Sequence, residues 1–285
     1  MPIDQPQSEN PYFIDAENAA EMARLTNQDR LITQTMGGLF PPDIDLSNVH
    51  SVLDVGCGPG GWVLDVAHAH PKMQVTGIDI SKLMVEYSRA QARVQWLDNA
   101  TFITMDALKP LEFPDNSFDL VTARFISSFT PKTAWPEMVQ EFLRVLRPGG
   151  VIRLTEPEFP ISNSPAVENL IAKFARAMQK AGRSFSPDGR LMAITPMLSY
   201  FLRNANCQNI KVQGFVLDAS VGTEAYASQY QNTLVFLKLL QPFILRAGET
   251  TNEEFDKIYQ QALLEMQLDS YCSVWYYLSA WGTKP

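Results

Sequence analysis

Cysteine and histidine are scarce in this chain, three of each in 285 residues. Cys57, Cys207 and Cys272 are odd in number and scattered through apolar contexts, which excludes a disulfide scaffold and fits a reducing cytoplasm. His68 and His70 lie near the end of a short helix-like stretch, where a cationic tip suits the helix dipole, and His50 stands apart. No metal site is expected from them. Positive charge is also short: 23 Lys and Arg face 31 Asp and Glu, a net charge of −8 with a pI near 5.0. Phosphate backbones reward basic patches, and no run of lysines or arginines supplies one, so nucleic acid is not an expected partner. No segment reaches the ~20 apolar residues of a membrane span, and the polar, acidic N-terminus has no apolar signal core. The expectation is a cytoplasmic protein without a membrane span. Its 46% hydrophobic residues are ample for a large single core.

What the chain does have is a glycine cluster after a buried strand. Ser51 to Val55 is a short apolar run of the parallel-strand kind, followed by Gly56-Cys57-Gly58-Pro59-Gly60-Gly61 and the helix-like Trp62, Val63, Val66 and Ala67. A strand running through glycines into a helix presents bare backbone N–H groups beside a helix N-terminus, where a ligand can approach closely. Gly56, Gly58 and Gly61 satisfy the dinucleotide spacing G-x-G-x-x-G. The same stretch satisfies the D-x-G-x-G-x-G-like loop of S-adenosylmethionine (SAM) enzymes, and the glycines alone do not separate the two. A second strand, Gln74 to Ile78, ends at Asp79, a carboxylate placed to accept both ribose hydroxyls of either cofactor. Ala100 to Met105 reads as a third strand ending in Asp106-Ala107. A fourth is centred on Phe118-Asp119-Leu120-Val121, and a fifth follows Leu146-Arg147-Pro148-Gly149-Gly150.

The series LDVGCGPG, GIDIS, MDA, FDLV and LRPGG resembles the class I SAM-dependent methyltransferases of the small-molecule type, nearest in style to ubiquinone/menaquinone-biosynthesis-like enzymes. The resemblance covers roughly Ser51 to Glu156. It implies an α/β fold: a Rossmann-like, seven-stranded, mostly parallel sheet whose last strand returns antiparallel beside the sixth. It further implies that Gly56, Gly58 and Gly60 let the backbone approach the methionine portion of SAM. Asp54 would hold the ammonium, Asp79 the ribose hydroxyls, Ile80 with Ala107 the adenine surroundings, and Asp106 the adenine amino group. Arg124, at the end of strand four, is a candidate for the SAM carboxylate or for a structural pair with Glu156 at the neighbouring strand end.

Outside the core, residues 1–12 read as a loose arm, and Asp15 can cap a helix running to about Met36. Its apolar positions Met22, Leu25, Ile32 and Met36 form a stripe interrupted by Asp29, a carboxylate that wants a partner. One reading is a helix lying across the sheet. The other is a lid with Arg24, Gln28 and Asp29 facing the cofactor. Some fifty residues separate strand six (Ile210 to Asp218) from strand seven (Tyr271 to Trp281), far more than a hairpin needs. They read as two helices, about Thr223 to Leu240, ending near Pro242, and Asn252 to Leu268. The expected division is 1–50 arm and lid, 51–218 SAM-binding core, 219–268 helical cap and 269–285 last strand. Methyl transfer from a sulfonium needs positioning more than a strong base, and the expected acceptor is a small apolar or aromatic metabolite. Glu156, Tyr226 and Tyr230 are its candidate contacts, with Tyr226 and Tyr230 inside the pocket. The near-continuous apolar run Leu234 to Leu245 needs a second buried face, supplied by the acceptor, the lid or a homodimer partner. Two further readings stay open: a non-catalytic SAM-binding sensor or scaffold, and an NAD-dependent oxidoreductase.

Overall fold

The computed structural model describes residues 13–15 and 17–285; the arm expected over 1–12 lies outside them. Among the described residues the elements run α1 (Ala19–Thr35), β1 (Ser51–Val55), α2 (Gly61–Ala69), β2 (Gln74–Asp79), α3 (Lys82–Val94) and β3 (Ala100–Thr104). They continue with β4 (Phe118–Arg124), α4 (Trp135–Val145), β5 (Leu146–Pro157), β6 (Ile161–Ser162), α5 (Pro165–Lys180) and α6 (Thr195–Asn204). The chain closes with β7 (Gln208–Asp218), α7 (Tyr226–Arg246), α8 (Asn252–Glu265) and β8 (Ser273–Thr283). The strands form one sheet in the order β3-β2-β1-β4-β5-β8, with β7 on the far side of β8 and the two-residue β6 also paired to β8. The first five are parallel, and β8 runs antiparallel to both β5 and β7. The expected mostly parallel sheet with an antiparallel last strand is therefore present, β6 being the one strand beyond the seven.

Strand alternation decides what each face carries. Leu53 and Val55 of β1, with Ile152 and Leu154 of β5, pack under α4, α5 and α6. Val52, Val75 and Leu120 face the other way, against Trp62, Val63 and Val66 of α2. That second face also carries Asp54 and Arg124, which follow Val52 and Leu120 at even spacing in their strands. The C-terminal half of α1 covers the end of the same face, Ile32 and Met36 packing on Phe215, Leu217 and Tyr277.

Several boundaries differ from the sequence reading, most of them by two or three residues. The cap of α1 is Asn18, whose side chain accepts from Ala20 N and Glu21 N, while Asp15 accepts from Glu17 N in a local turn. α7 does not stop near Pro242 but continues to Arg246. Proline removes one helical N–H bond, and the helix persists because Leu240 and Ile244, on either side, are both buried. α6 starts at Thr195, with a proline in its first turn. The apolar run of α7 finds its second face within the chain, since α7 packs against α1, α5 and α8.

Candidate active site

The C-terminal ends of β1, β2 and β4 open into a cavity roofed by α1 and walled by α7. At its floor the chain leaves β1 through Gly56 and Cys57, whose N–H groups both bond Ile78 O at 2.9 Å. Gly58 follows in the left-handed region at φ +53°, where a Cβ would project into the cavity, with Leu25 Cδ1 its nearest neighbour at 3.8 Å. Asp79 fastens this turn: its carboxylate accepts from Gly58 N and Ser81 N, each at 2.9 Å. Burial pushes the Asp79 carboxyl above the ordinary range. Ile80, Met84, Met105 and Ala107 give the floor an apolar slot, with Asp106 at its rim. Asp106 accepts from Leu108 N at 3.0 Å and stands 3.4 Å from Lys109 Nζ.

Gly60 is not in the cavity lining. A Cβ there would lie 2.6 Å from both Phe102 and Ser88, so its bare backbone serves packing on β3 and α3. Gly61 lines the cavity instead, and a Cβ on it would strike the Asp29 carboxylate.

Arg124 lies on the cavity side of β4 and meets Asp29 of α1 at 2.6 Å. Its guanidinium sits 5.4 Å from the Trp62 ring centroid. Asp29 thus has its partner, and Arg124 does not pair with Glu156. The physical reason is register: Arg124 stands opposite Thr155, so Glu156, one residue on, points to the other face. Arg24 lines the roof but spends its donors within the protein. It bonds both Glu21 oxygens at 2.7 Å, Asn232 Oδ1 of α7 at 2.9 Å, and Gln28 Oε1.

All three expected acceptor contacts stand outside the lining, Glu156 being fully buried behind it. Tyr226 and Tyr230 are absent from the lining; the Tyr226 hydroxyl bonds Met266 O at 2.9 Å, and the Tyr230 hydroxyl accepts from Gln267 Nε2 at 2.9 Å. Asn232 and Phe236, further along the same helix, reach the cavity instead. Phe125, Phe129, Phe159, Phe174, Trp275 and Tyr277 complete an aromatic compartment beyond the glycine turn. Glu158 lines it as well, accepting from Thr195 N and Thr195 Oγ1 at the start of α6. Sequence reasoning pointed to Glu158 as an acidic candidate but missed Phe125, Phe129, Phe159 and Phe174 for the site, because only the folded register brings them together. It also missed Ser127, which lines the cavity.

Burial raises two further carboxyls near the cavity. Asp54 is pushed up to about 7, desolvation outweighing the opposing charge of Arg124. Glu156 is pushed up to about 8, desolvation outweighing the hydrogen bonds it accepts. The folded chain therefore holds protons on these groups at pH values where the unfolded chain has released them. The resulting stability is fully present only below the ordinary values of 3.8 and 4.5, and it declines as pH rises from there to about 7 for Asp54 and about 8 for Glu156. The ligand-free protein is expected to melt on the order of a few degrees lower at about pH 9 than at about pH 6. Calorimetric scans across that range check it, and Asp54→Asn should flatten the lower part of the decline.

This combination of a parallel sheet, an antiparallel final strand and carboxylates at the ends of β1, β2 and β3 defines the class I methyltransferase architecture. A family model described as a methyltransferase domain matches residues 52–150. A demethylmenaquinone methyltransferase of Listeria welshimeri is 34% identical over 138 residues, 48% of this chain and 56% of the relative. The chain thus spans about half the length of that relative. Among solved structures, the YcgJ protein of Bacillus subtilis superposes with a TM-score of 0.52 at 20% identity, over 83% of this chain and 93% of that one. Phosphoethanolamine N-methyltransferase 2 of Haemonchus contortus, in complex with S-adenosyl-L-methionine, gives 0.54 at 17% identity, over 94% of this chain and 57% of that one. At these identities the two structures speak for the fold. The family-model match is confined to residues 52–150 and describes that stretch as a methyltransferase domain.

Proposed function

We propose that the chain transfers a methyl group from SAM to a small apolar or aromatic acceptor. The observation that carries this reading is the charge of the lining: Asp29, Asp54, Asp79, Asp106 and Glu158 against Arg24 and Arg124. Both guanidiniums are already engaged by carboxylates of α1. Such a site favours a ligand bearing a sulfonium and an ammonium over one bearing a pyrophosphate, and Gly58 N is already turned to Asp79 rather than offered to an anion. The residues fit SAM on this reading. The bare backbone at Gly58 leaves room for its methionine portion, Asp54 suits the ammonium, and Asp79 keeps lone pairs for the ribose. Ile80 and Ala107 border the adenine slot, with Asp106 at its edge. When bound, SAM supplies an activated methyl group on a good leaving group.

The protein's own part is positioning and exclusion of water. α1 acts as a lid, and α7 with α8 acts as a cap that sets acceptor specificity through Asn232 and Phe236. Six aromatic side chains in one compartment favour a flat, apolar acceptor. The unpaired cysteines support a reducing, cytoplasmic setting. Calorimetry tests the cofactor: SAM should bind in the micromolar range or tighter, and NAD should not compete. NAD binding in place of SAM would overturn the reading. SAM binding without release of S-adenosylhomocysteine across a panel of phenols, quinols and amines would favour a sensor.

A further inference from the structure

Behind the cavity wall the fold buries a carboxylate whose route to the cavity runs through a hydroxyl. Glu156, near the end of β5, has no exposed surface. Its Oε1 accepts from Ile126 N at 2.8 Å and Ser127 N at 3.2 Å, and its Oε2 accepts the Ser127 hydroxyl at 2.5 Å. Ser127 itself lines the cavity. The contact exists because Phe125 adopts the left-handed conformation, φ 61°. It turns the chain out of β4 into a single 3₁₀ turn, Ile126–Ser128. Two backbone bonds suffice to fasten that turn; the serine side chain adds a hydrogen-bonded path from cavity to carboxylate.

We infer that the methyl acceptor bears a weakly acidic hydroxyl, of the phenol or hydroquinone class, and that Ser127 passes its proton to Glu156. This rests on the methyltransferase reading. The acceptor O–H bond breaks, its proton goes to Ser127 Oγ, and the proton already on Ser127 goes to Glu156 Oε2. The electron pair stays on the acceptor oxygen, which becomes the stronger nucleophile, and Glu156 ends neutral. Ser127 is the catalytic residue that touches the acceptor, and Glu156 is a positioning residue that acts through it.

The surroundings of Glu156 suit this role. Burial, with a smaller push from Glu158, lifts its carboxyl to about 8. That is far closer to a phenol, which ionises near ~10, than an ordinary glutamate is. From the β4 side the facing groups are the two N–H groups and the Ser127 hydroxyl. Arg124 is turned to Asp29 on the opposite face of the sheet. Across β8 its register partner is Leu278; the adjacent Tyr277 is a phenol that burial holds neutral.

The arrangement gives the cavity a hydrogen-bonding polarity that depends on pH. With Glu156 ionised, the Ser127 hydroxyl donates inward, and its oxygen accepts from a ligand. With Glu156 protonated, the carboxyl donates to Ser127 Oγ, and the serine hydrogen points at the ligand. Binding of 2-naphthol and of its methyl ether, 2-methoxynaphthalene, reads this directly. Between about pH 6.5 and about pH 8.5, where a phenol remains neutral, 2-naphthol should tighten about three- to tenfold, and the ether, which has no O–H to donate, should not tighten. Both Ser127→Ala and Glu156→Gln should abolish the pH response. Glu156→Gln keeps an oxygen for the two backbone donors, and circular dichroism confirms that each variant is folded. Naphthol affinity that is flat with pH, a response shared by the ether, a response surviving in Glu156→Gln, or no naphthol binding each overturns the inference. SAM calorimetry on the same samples separates the two readings. A protein with the naphthol signature but no SAM binding keeps the relay and loses the methyltransferase function.

Discussion

Arg124→Met is expected to destabilise the protein by about 3 kcal/mol, the lower end of the cost of removing one partner from a buried ion pair. The side chains of Arg124 and Asp29 are only 10% and 15% exposed, and that residual access to water is why the lower end applies. The loss falls on more than one group. Asp29 is left facing Gly61, and Asp54 loses the largest favourable charge acting on it. The α1 helix also loses its tie to β4. Urea denaturation of the wild type, of Arg124→Met and of Arg124→Met with Asp29→Leu measures the effect. The double variant should recover at least half of the loss, because no charge is left uncompensated at position 29. A single-variant cost under about 1 kcal/mol would place the pair with ordinary solvated surface bridges.

Asp79→Ala should weaken SAM binding by about ten- to a hundredfold, the loss of charge-assisted hydrogen bonds worth roughly 1.5–3 kcal/mol. Two effects combine. The ribose loses its acceptor, and Gly58 N and Ser81 N lose the carboxylate that fixes the glycine turn. Asp79→Asn keeps an oxygen for one of those donors and should bind with intermediate affinity. Unchanged calorimetric affinity in folded Asp79→Ala would show that the end of β2 does not meet the ribose.

The parts of the fold legible in the sequence are those governed by local rules. The run from Ser51 to Val66 is a strand, a glycine turn and a helix, and each is marked by its own residues. The misreadings share a different cause: each depends on how one element is rotated or registered against another. Arg124 and Glu156 sit at neighbouring strand ends, and a register offset of one residue decides whether they meet; a single sequence does not carry that offset. On α7 the long apolar run gives no phase, because a helix apolar nearly all round has no preferred face. Tyr226 and Tyr230 were therefore as plausible for the pocket as Asn232 and Phe236, and contacts with α1, α5 and α8 decided the matter. Gly60 and Gly61 differ by one position, and only the approach of Phe102 on one side and Asp29 on the other separates their roles. Nothing in the residues before Ser127 announces that Phe125 adopts a left-handed conformation, an arrangement uncommon for a large side chain.

Arg24 joins Glu21 and Gln28 on α1 to Asn232 on α7, and its guanidinium lies 5.2 Å from the centroid of the Phe236 ring. The roof and the wall of the cavity are thereby clasped into one mechanical unit. A motion that lifts α1 far enough to exchange one occupant must either drag α7 with it or break the clasp. Opening one part of the cavity to solvent is thereby tied to opening the other, a coupling set by a single arginine.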